Sequence, residues 1–276
     1  MNSENKEIKM THDQHFVPQM YLKHFADGKL CYVIEGHGKI TKKSIDRICY
    51  KTDYYELKNI ENKIVKHNLI ESQFLNRIET MYTSYFEELF MALNNQSIEE
   101  FKYKDDNDLK LIIWLILMFL RNPLVFKETP EAAKEIGIEW DEIQAHNNAV
   151  INMVGLLEEW SNNLRKTHRI VFLKNNSDIS FVTSNYPSII TRDSNGQIRG
   201  EMPLSPEYYM LLLDKGNGIK EDSIQLAPKI LVNYHNYNTV VNTFNLQTDV
   251  EYKYIISKDK KTLEFYKDVV EELLKG

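Results

Sequence analysis

Leu109-Lys110-Leu111-Ile112-Ile113-Trp114-Leu115-Ile116-Leu117-Met118-Phe119-Leu120 is the stretch on which the fold turns. As a helix it is apolar almost all round, and such a helix is central and buried. It is too short to cross a bilayer, which takes about 20 apolar residues. The acidic run Asp105 to Asp108 suits the first turn, where carboxylates meet the positive end of the helix dipole. Arg121-Asn122-Pro123 ends the helix, because proline lacks the N–H and crowds the preceding turn. Arg121 therefore falls at the C-terminal end of the most buried helix. A guanidinium there either neutralises the helix end, pairs with a carboxylate or receives an anion.

Working outward, Leu69, Ile70, Phe74, Leu75, Ile78, Tyr82, Tyr85, Phe86 and Leu89 recur at three and four. That spacing predicts a helix from about residue 68 to Asn94. Glu71 and Glu79 lie on it, a little over two turns apart. They are either a solvated helix edge or a functional pair. Residues from 131 to about 166 read as helical, with a break at Gly137 and a restart at Asp141. Composition then changes. Arg169–Leu173 and Ile179–Thr183 read as strands around the turn cluster Asn175–Asp178. A loop and strand follow at Met202–Leu213, then a helix at Lys229–Asn245, a strand at Glu251–Ser257 and a terminal helix at Thr262–Lys275. Near the N-terminus, Lys29–Glu35 and Lys39–Thr41 form a hairpin across Gly36-His37-Gly38. The fold class is α+β: a helical layer over about 60–166, packed on a largely antiparallel sheet over about 169–257 that the N-terminal hairpin joins. One domain over 1–276 is expected, with the polar residues 1–11 as a tail.

The segment Asp13 to Phe25 interleaves polar and apolar residues in an order that folding alone does not require. Pro18 biases Val17 toward extended backbone and suits a first helical turn. His15 is then in an extended segment and Gln19 in the first turn of a short helix carrying Met20, Tyr21, Leu22 and Phe25. An imidazole and an amide at a helix N-terminus suit a phosphate or carboxylate. The structural alternative is that His15 braces a loop and Gln19 is solvated. A second polar segment is Thr183-Ser184-Asn185, where a strand ends before Pro187 redirects the chain. It is either a ligand-binding loop or an Asx/Ser turn.

His15-Phe16-Val17-Pro18-Gln19-Met20-Tyr21-Leu22 resembles the opening signature of the microbial family designated domain of unknown function 4238. Glu71 and Glu79 are similar to that family's two-glutamate pattern. Phe119 to Pro123 resembles its Arg-Thr/Asn-Pro motif, Thr183 to Pro187 its Thr-Ser-Asp-Asn-Pro loop, and Met202 to Pro206 its Pro-Leu-Ser-Pro element. Together these cover roughly residues 12 to 245. The chain departs from the pattern twice. Gln14 stands where a first histidine is frequent, and Asn185 stands where aspartate is usual. Asparagine can coordinate or donate, but it cannot act as a general base.

The chain has 276 residues and a formal net charge of −6, which argues against a broad basic nucleic-acid surface but leaves room for a narrow positive cleft. Two cysteines and eight scattered histidines give neither a disulfide framework nor a Cys-rich zinc site. Residues 1–10 lack the apolar core of a signal peptide, so the cytoplasm is expected. No Walker, Rossmann or Gly-x-Ser-x-Gly signature is present. The expected function is a hydrolase, most readily a phosphodiesterase or nuclease acting on nucleic acid or nucleotide. By analogy alone, that suits a bacterial defence-island effector. His15 is read as acid or base, Glu71 as base or ligand to a divalent metal such as Mg, and Arg121 as phosphate clamp. Gln19, Ser184 and Asn185 are read as substrate-binding groups. Glu71 is the expected resting partner of Arg121, with His15 beside them. The alternatives are a module that binds an anionic ligand without chemistry, and a protein-interaction protein in which all these groups are structural.

Overall fold

The computed structural model describes residues 12–67, 69–192, 196–217, 224–245 and 253–275. The chain opens with strand β1 (Asp13–His15), helix α1 (Gln19–Leu22), the hairpin β2 (Leu30–Glu35) and β3 (Ile40–Ser44), and the short strands β4 (Tyr50–Thr52), β5 (Leu57–Lys58) and β6 (Ile64–Lys66). A π-helical turn, Glu71–Leu75, runs into α2 (Asn76–Asn94). Helices α3 (Ile98–Tyr103), α4 (Asn107–Leu120), α5 (Pro123–Glu135) and α6 (Glu142–Thr167) follow. The remainder is β7 (His168–Asn175), β8 (Thr183–Ser184), β9 (Ile189–Arg192), β10 (Ile198–Pro203), β11 (Tyr208–Asp214), β12 (Gln225–Ala227), α7 (Lys229–Asn245), β13 (Tyr254–Ser257), α8 (Lys260–Glu264) and α9 (Lys267–Leu273). The class is α+β.

Helix α4 is the centre, as its composition requires. Leu111, Trp114, Ile116 and Leu117 are all 0% exposed. Enclosing each large apolar side chain contributes roughly 1.5–3 kcal/mol. Trp114 packs on Tyr82 and Phe86 of α2, with ring centroids 4.7 and 5.3 Å away. On another side α4 meets the sheet at β10. A Cβ at Gly200 would sit 3.0 Å from the Leu115 side chain, so this close approach needs glycine.

The strands divide into two main sheets, where the sequence suggested one. The first has the order β12-β7-β11-β10-β9, antiparallel except for the parallel pair β12–β7. Because side chains alternate, Ile170, Phe172, Met210 and Leu212 face the α4 core, while Val171, Leu173, Tyr209 and Leu211 face Phe181 and Val232 of α7. The second has the order β3-β2-β13-β8 and is antiparallel. The N-terminal hairpin belongs here, through β2–β13. One face of this sheet sends Cys31, Val33 and Ile256 to the α4 core. The other sends Ile34 and Ile255 to Val240, Phe244 and Leu263. Both cysteines are free and buried.

Three boundaries differ from the sequence reading. Ile179–Val182 is not a strand: Phe181 N–H donates to Pro206 O (3.0 Å) and Val182 N–H to Asn236 Oδ1 (3.0 Å), so these amides have partners outside any ladder. The helix expected from residue 131 begins at Pro123, because Asn122 caps it (Leu124 N–H to Asn122 Oδ1, 2.8 Å) and proline fits its first position. The terminal helix is two, α8 and α9. The restart near Asp141 is a capping box with Gln144. Among the described residues no single helix is long and apolar enough to cross a membrane.

Candidate functional site

The site forms where β1, α1, the π-turn, α2 and the end of α4 converge. β1 pairs with β4, placing His15 opposite Tyr50, and their rings lie 5.6 Å apart. Pro18 stands before α1 with φ −58°, so the chain turns from strand to helix within three residues. Gln19 then returns over His15, with its Nε2 3.4 Å from His15 Nε2. Both side chains are half-buried.

Arg121 caps α4 from inside. Its side chain is 0% exposed, and each branch of the guanidinium has a partner. Nε donates to Tyr55 Oη (2.9 Å), Nη1 donates to Glu79 Oε1 (2.7 Å), and Nη2 donates to the backbone carbonyl of His15. One residue thereby ties β1, α2 and the segment before β5 to the end of α4. Burial opposes the charged guanidinium, but Tyr55 and Glu79 more than offset it, so Arg121 titrates above its usual range.

Two expectations about this residue need correcting. Its resting partner is Glu79, not Glu71, and as enclosed it cannot clamp a phosphate without opening the site. The reason lies in the π-turn. In a regular α-helix eight residues leave two side chains about 80° apart; a π-turn absorbs one residue and brings them to about 20°. The two glutamates thus share one face, where Glu79 meets the guanidinium and Glu71 is the more buried of the pair.

Glu71 is 9% exposed and its Oε2 has no hydrogen-bond partner. Burial raises its pKa most, Arg121 lowers it, and Glu79 and Glu56 raise it again; the balance holds it up to about 7. A buried carboxyl without a donor to its charged form keeps its proton instead. His15 moves the other way. Burial lowers its pKa, Glu79 raises it and Arg121 lowers it, and the balance is below 6.5. His15 and Glu71 are thus shifted in opposite senses, each chiefly by burial and each within the field of the Arg121–Glu79 ion pair.

Behind it, Gln14 is 0% exposed and bridges two groups. Its Nε2 donates to Glu56 Oε1 (2.7 Å), and its Oε1 accepts from Tyr55 N–H (2.6 Å). Gln14, Tyr55 and Glu56 were not singled out as site members from the sequence; Glu79 was weighed there with Glu71, as either a solvated helix edge or a functional pair.

Ser184 and Asn185 are elsewhere in role. Both are 0% exposed. Ser184 Oγ accepts from Tyr186 N–H (2.9 Å), and Asn185 Oδ1 accepts from Tyr254 N–H (2.9 Å). Asn122 Nδ2 donates to Asn185 O (3.0 Å), linking this turn to the residue after Arg121. They brace the site from behind and do not line its mouth, which corrects the expectation that they bind substrate. Among the described residues, no group of three or more His, Cys, Asp or Glu could hold a metal ion.

A family model described as "Protein of unknown function (DUF4238)" matches residues 13–261, and the chain belongs to this family. No curated protein and no solved structure matches it.

Proposed function

We propose that the protein is a hydrolase working by general acid–base catalysis on phosphodiester bonds, as a phosphodiesterase or nuclease. The observation that carries this reading is Glu71: an enclosed carboxyl with an unpartnered oxygen, close to the Arg121–Glu79 ion pair whose guanidinium also binds the backbone carbonyl of the half-buried His15. Groups whose surroundings push their pKa values in opposite senses are how one site holds both an acid and a base near neutrality. His15, neutral at pH 7, takes a proton from the attacking water. Its oxygen bonds to phosphorus as the P–O bond to the leaving group breaks. Glu71 gives its proton to that leaving oxygen. Glu79 stabilises the imidazolium formed in the step, and Arg121 acts as a positioning residue that fixes Glu79 and the His15 backbone. Gln19 orients the bound phosphate or water.

The test is a cleavage screen on RNA, single- and double-stranded DNA, nucleotides and a chromogenic phosphodiester, with and without Mg, followed by a pH profile on the best substrate. Turnover should rise as His15 loses its proton below pH 6.5 and fall above about pH 7 as Glu71 ionises. His15→Ala should lower kcat by at least about 100-fold with little change in melting temperature. Glu71→Gln should remove the alkaline limb. No turnover by the wild-type chain on any substrate, or an unaltered rate in His15→Ala, would exclude the reading.

A further inference from the structure

A cleft of about 380 Å³ opens beside Tyr50, the residue whose ring contacts His15. Its volume lies within the range of small-ligand pockets, about 300–1,000 Å³. Arg47, Tyr50, Lys51, Thr52 and Tyr254 are among the residues that line it, and among the described residues no carboxylate does. In a chain of net charge −6 that is a local reversal of sign. A larger cleft shows the contrast, because Lys174 and Lys258 there share the wall with Asp27, Glu207 and Asp259.

The backbone adds two observations. β4 is paired on one edge only, to β1, and the antiparallel alternation turns the N–H and C=O groups of Tyr50 and Thr52 away from β1. The strand is also bracketed by two non-glycine residues with left-handed backbone, Cys49 (φ 57°) and Asp53 (φ 53°). Such residues persist only where the surroundings hold them, and they gather at ligand sites. Carboxylates stand close outside the wall: Asp46 adjoins Arg47 and is exposed, Asp13 accepts from Thr52 (3.4 Å), Asp53 meets His12 (2.9 Å), and Glu35 pairs with Lys43.

We infer that this cleft is the substrate groove, and that it takes a single-stranded polynucleotide. The inference rests on the phosphodiesterase reading of the neighbouring His15. Cations for the phosphates and aromatic rings for the bases are the combination that binds unpaired strands without sequence preference. Tyr50 stacks a base, Arg47 and Lys51 meet the flanking phosphates, and the next phosphodiester falls at His15, on the other side of the Tyr50 ring. This arrangement also supplies the anion contact that the enclosed Arg121 does not provide. A strand of three residues is about 10 Å long, enough for one or two nucleotides, so a duplex, whose bases are stacked inside, has no means of using the rings.

The experiment is fluorescence anisotropy with labelled single-stranded RNA and DNA on the His15→Ala protein, so that binding is read without turnover. Duplex DNA, a nucleoside monophosphate and inorganic phosphate serve as competitors. Arg47→Gln with Lys51→Gln should weaken single-strand binding at least tenfold and reduce the slope of log affinity against log salt by about 1.4. Tyr50→Leu should weaken it about tenfold while leaving competition by inorganic phosphate unchanged. Melting curves establish that each variant is folded. If single strands bind but the wild type cleaves none, the groove stands and the hydrolase reading falls. If the wild type cleaves a phosphodiester yet neither substitution alters binding, the groove is overturned and the reading survives. A nucleoside monophosphate competing as well as the strand, or inorganic phosphate competing fully, would also overturn the polynucleotide assignment.

Discussion

The protein buries charge at both faces of its central architecture, and the two places differ in what they leave open. At the end of α4, Arg121 is enclosed, but its ion pair reaches Glu79, which is 23% exposed, and its guanidinium holds the backbone of the half-buried His15. On the far face of the five-stranded sheet, Glu201 of β10 meets His235 of α7, with Nδ1 and Oε2 3.2 Å apart. His235 is 1% exposed, and its ring lies against Tyr209 at 4.4 Å under α7. Arg199 reaches the same carboxylate at 3.5 Å from the solvent side. Both clusters join elements distant in sequence. In the first, the half-buried His15 and the enclosed Glu71 carboxyl are both held away from their ordinary ranges beside a partly exposed ion pair. Burial of charge marks a place where elements are tied together; a site needs access as well.

The largest effect that would break this contrast concerns Arg121. Replacing it with alanine strands Glu79, Glu71, the Tyr55 hydroxyl and the His15 carbonyl at once, and should cost about 3–5 kcal/mol by urea unfolding. A loss under about 1 kcal/mol would mean that the polar cluster does not hold the convergence of β1, α2 and α4.

A smaller effect sharpens it. Because the folded state holds the Glu71 proton up to about pH 7 against an ordinary value of 4.5, its contribution to stability is complete below about pH 4.5 and is lost as pH rises through about 7. The loss is at most about 3 kcal/mol. Glu71→Gln should flatten the decline in stability between pH 5 and 8, and should be the more stable form at pH 8. Parallel curves for the two proteins would show that Glu71 ionises freely.

The smallest effect belongs to the sealed cluster. Glu201→Leu together with His235→Leu should change stability by less than about 1 kcal/mol, in either direction, because well-packed apolar side chains commonly replace a buried polar contact without loss. A large loss would give the far face a role that burial alone does not explain.

Much of this was legible in the chain. The even apolar distribution from Leu109 to Leu120 specified the central helix, and Pro18 specified the strand-to-helix turn that brings Gln19 over His15. The convergence of His15 with Arg121 was expected because both lie where an element ends beside a proline. What could not be read was angular or non-local. The π-turn at Glu71–Leu75 has no signature in a heptad count, so which glutamate meets Arg121 was hidden. Ser184 and Asn185 read as a polar loop, and only the pairing of β8 with β13 shows that they are enclosed. The hairpin β2–β3 was visible from its turn, but its partner β13 comes from the other end of the chain, where no local pattern names it.

That last pairing has a consequence for how the protein is made. β13 lies inside its sheet, hydrogen-bonded to β2 on one side and β8 on the other, with Glu35 opposite Tyr254. During synthesis from the N-terminus, the hairpin emerges early and presents the open edge of β2 to solvent or to a chaperone until residues 254–257 leave the ribosome. A strand more than 200 residues downstream closes the first hairpin, so a nascent chain stalled before it carries an unsatisfied β-edge, and its release is the step that seals the second sheet.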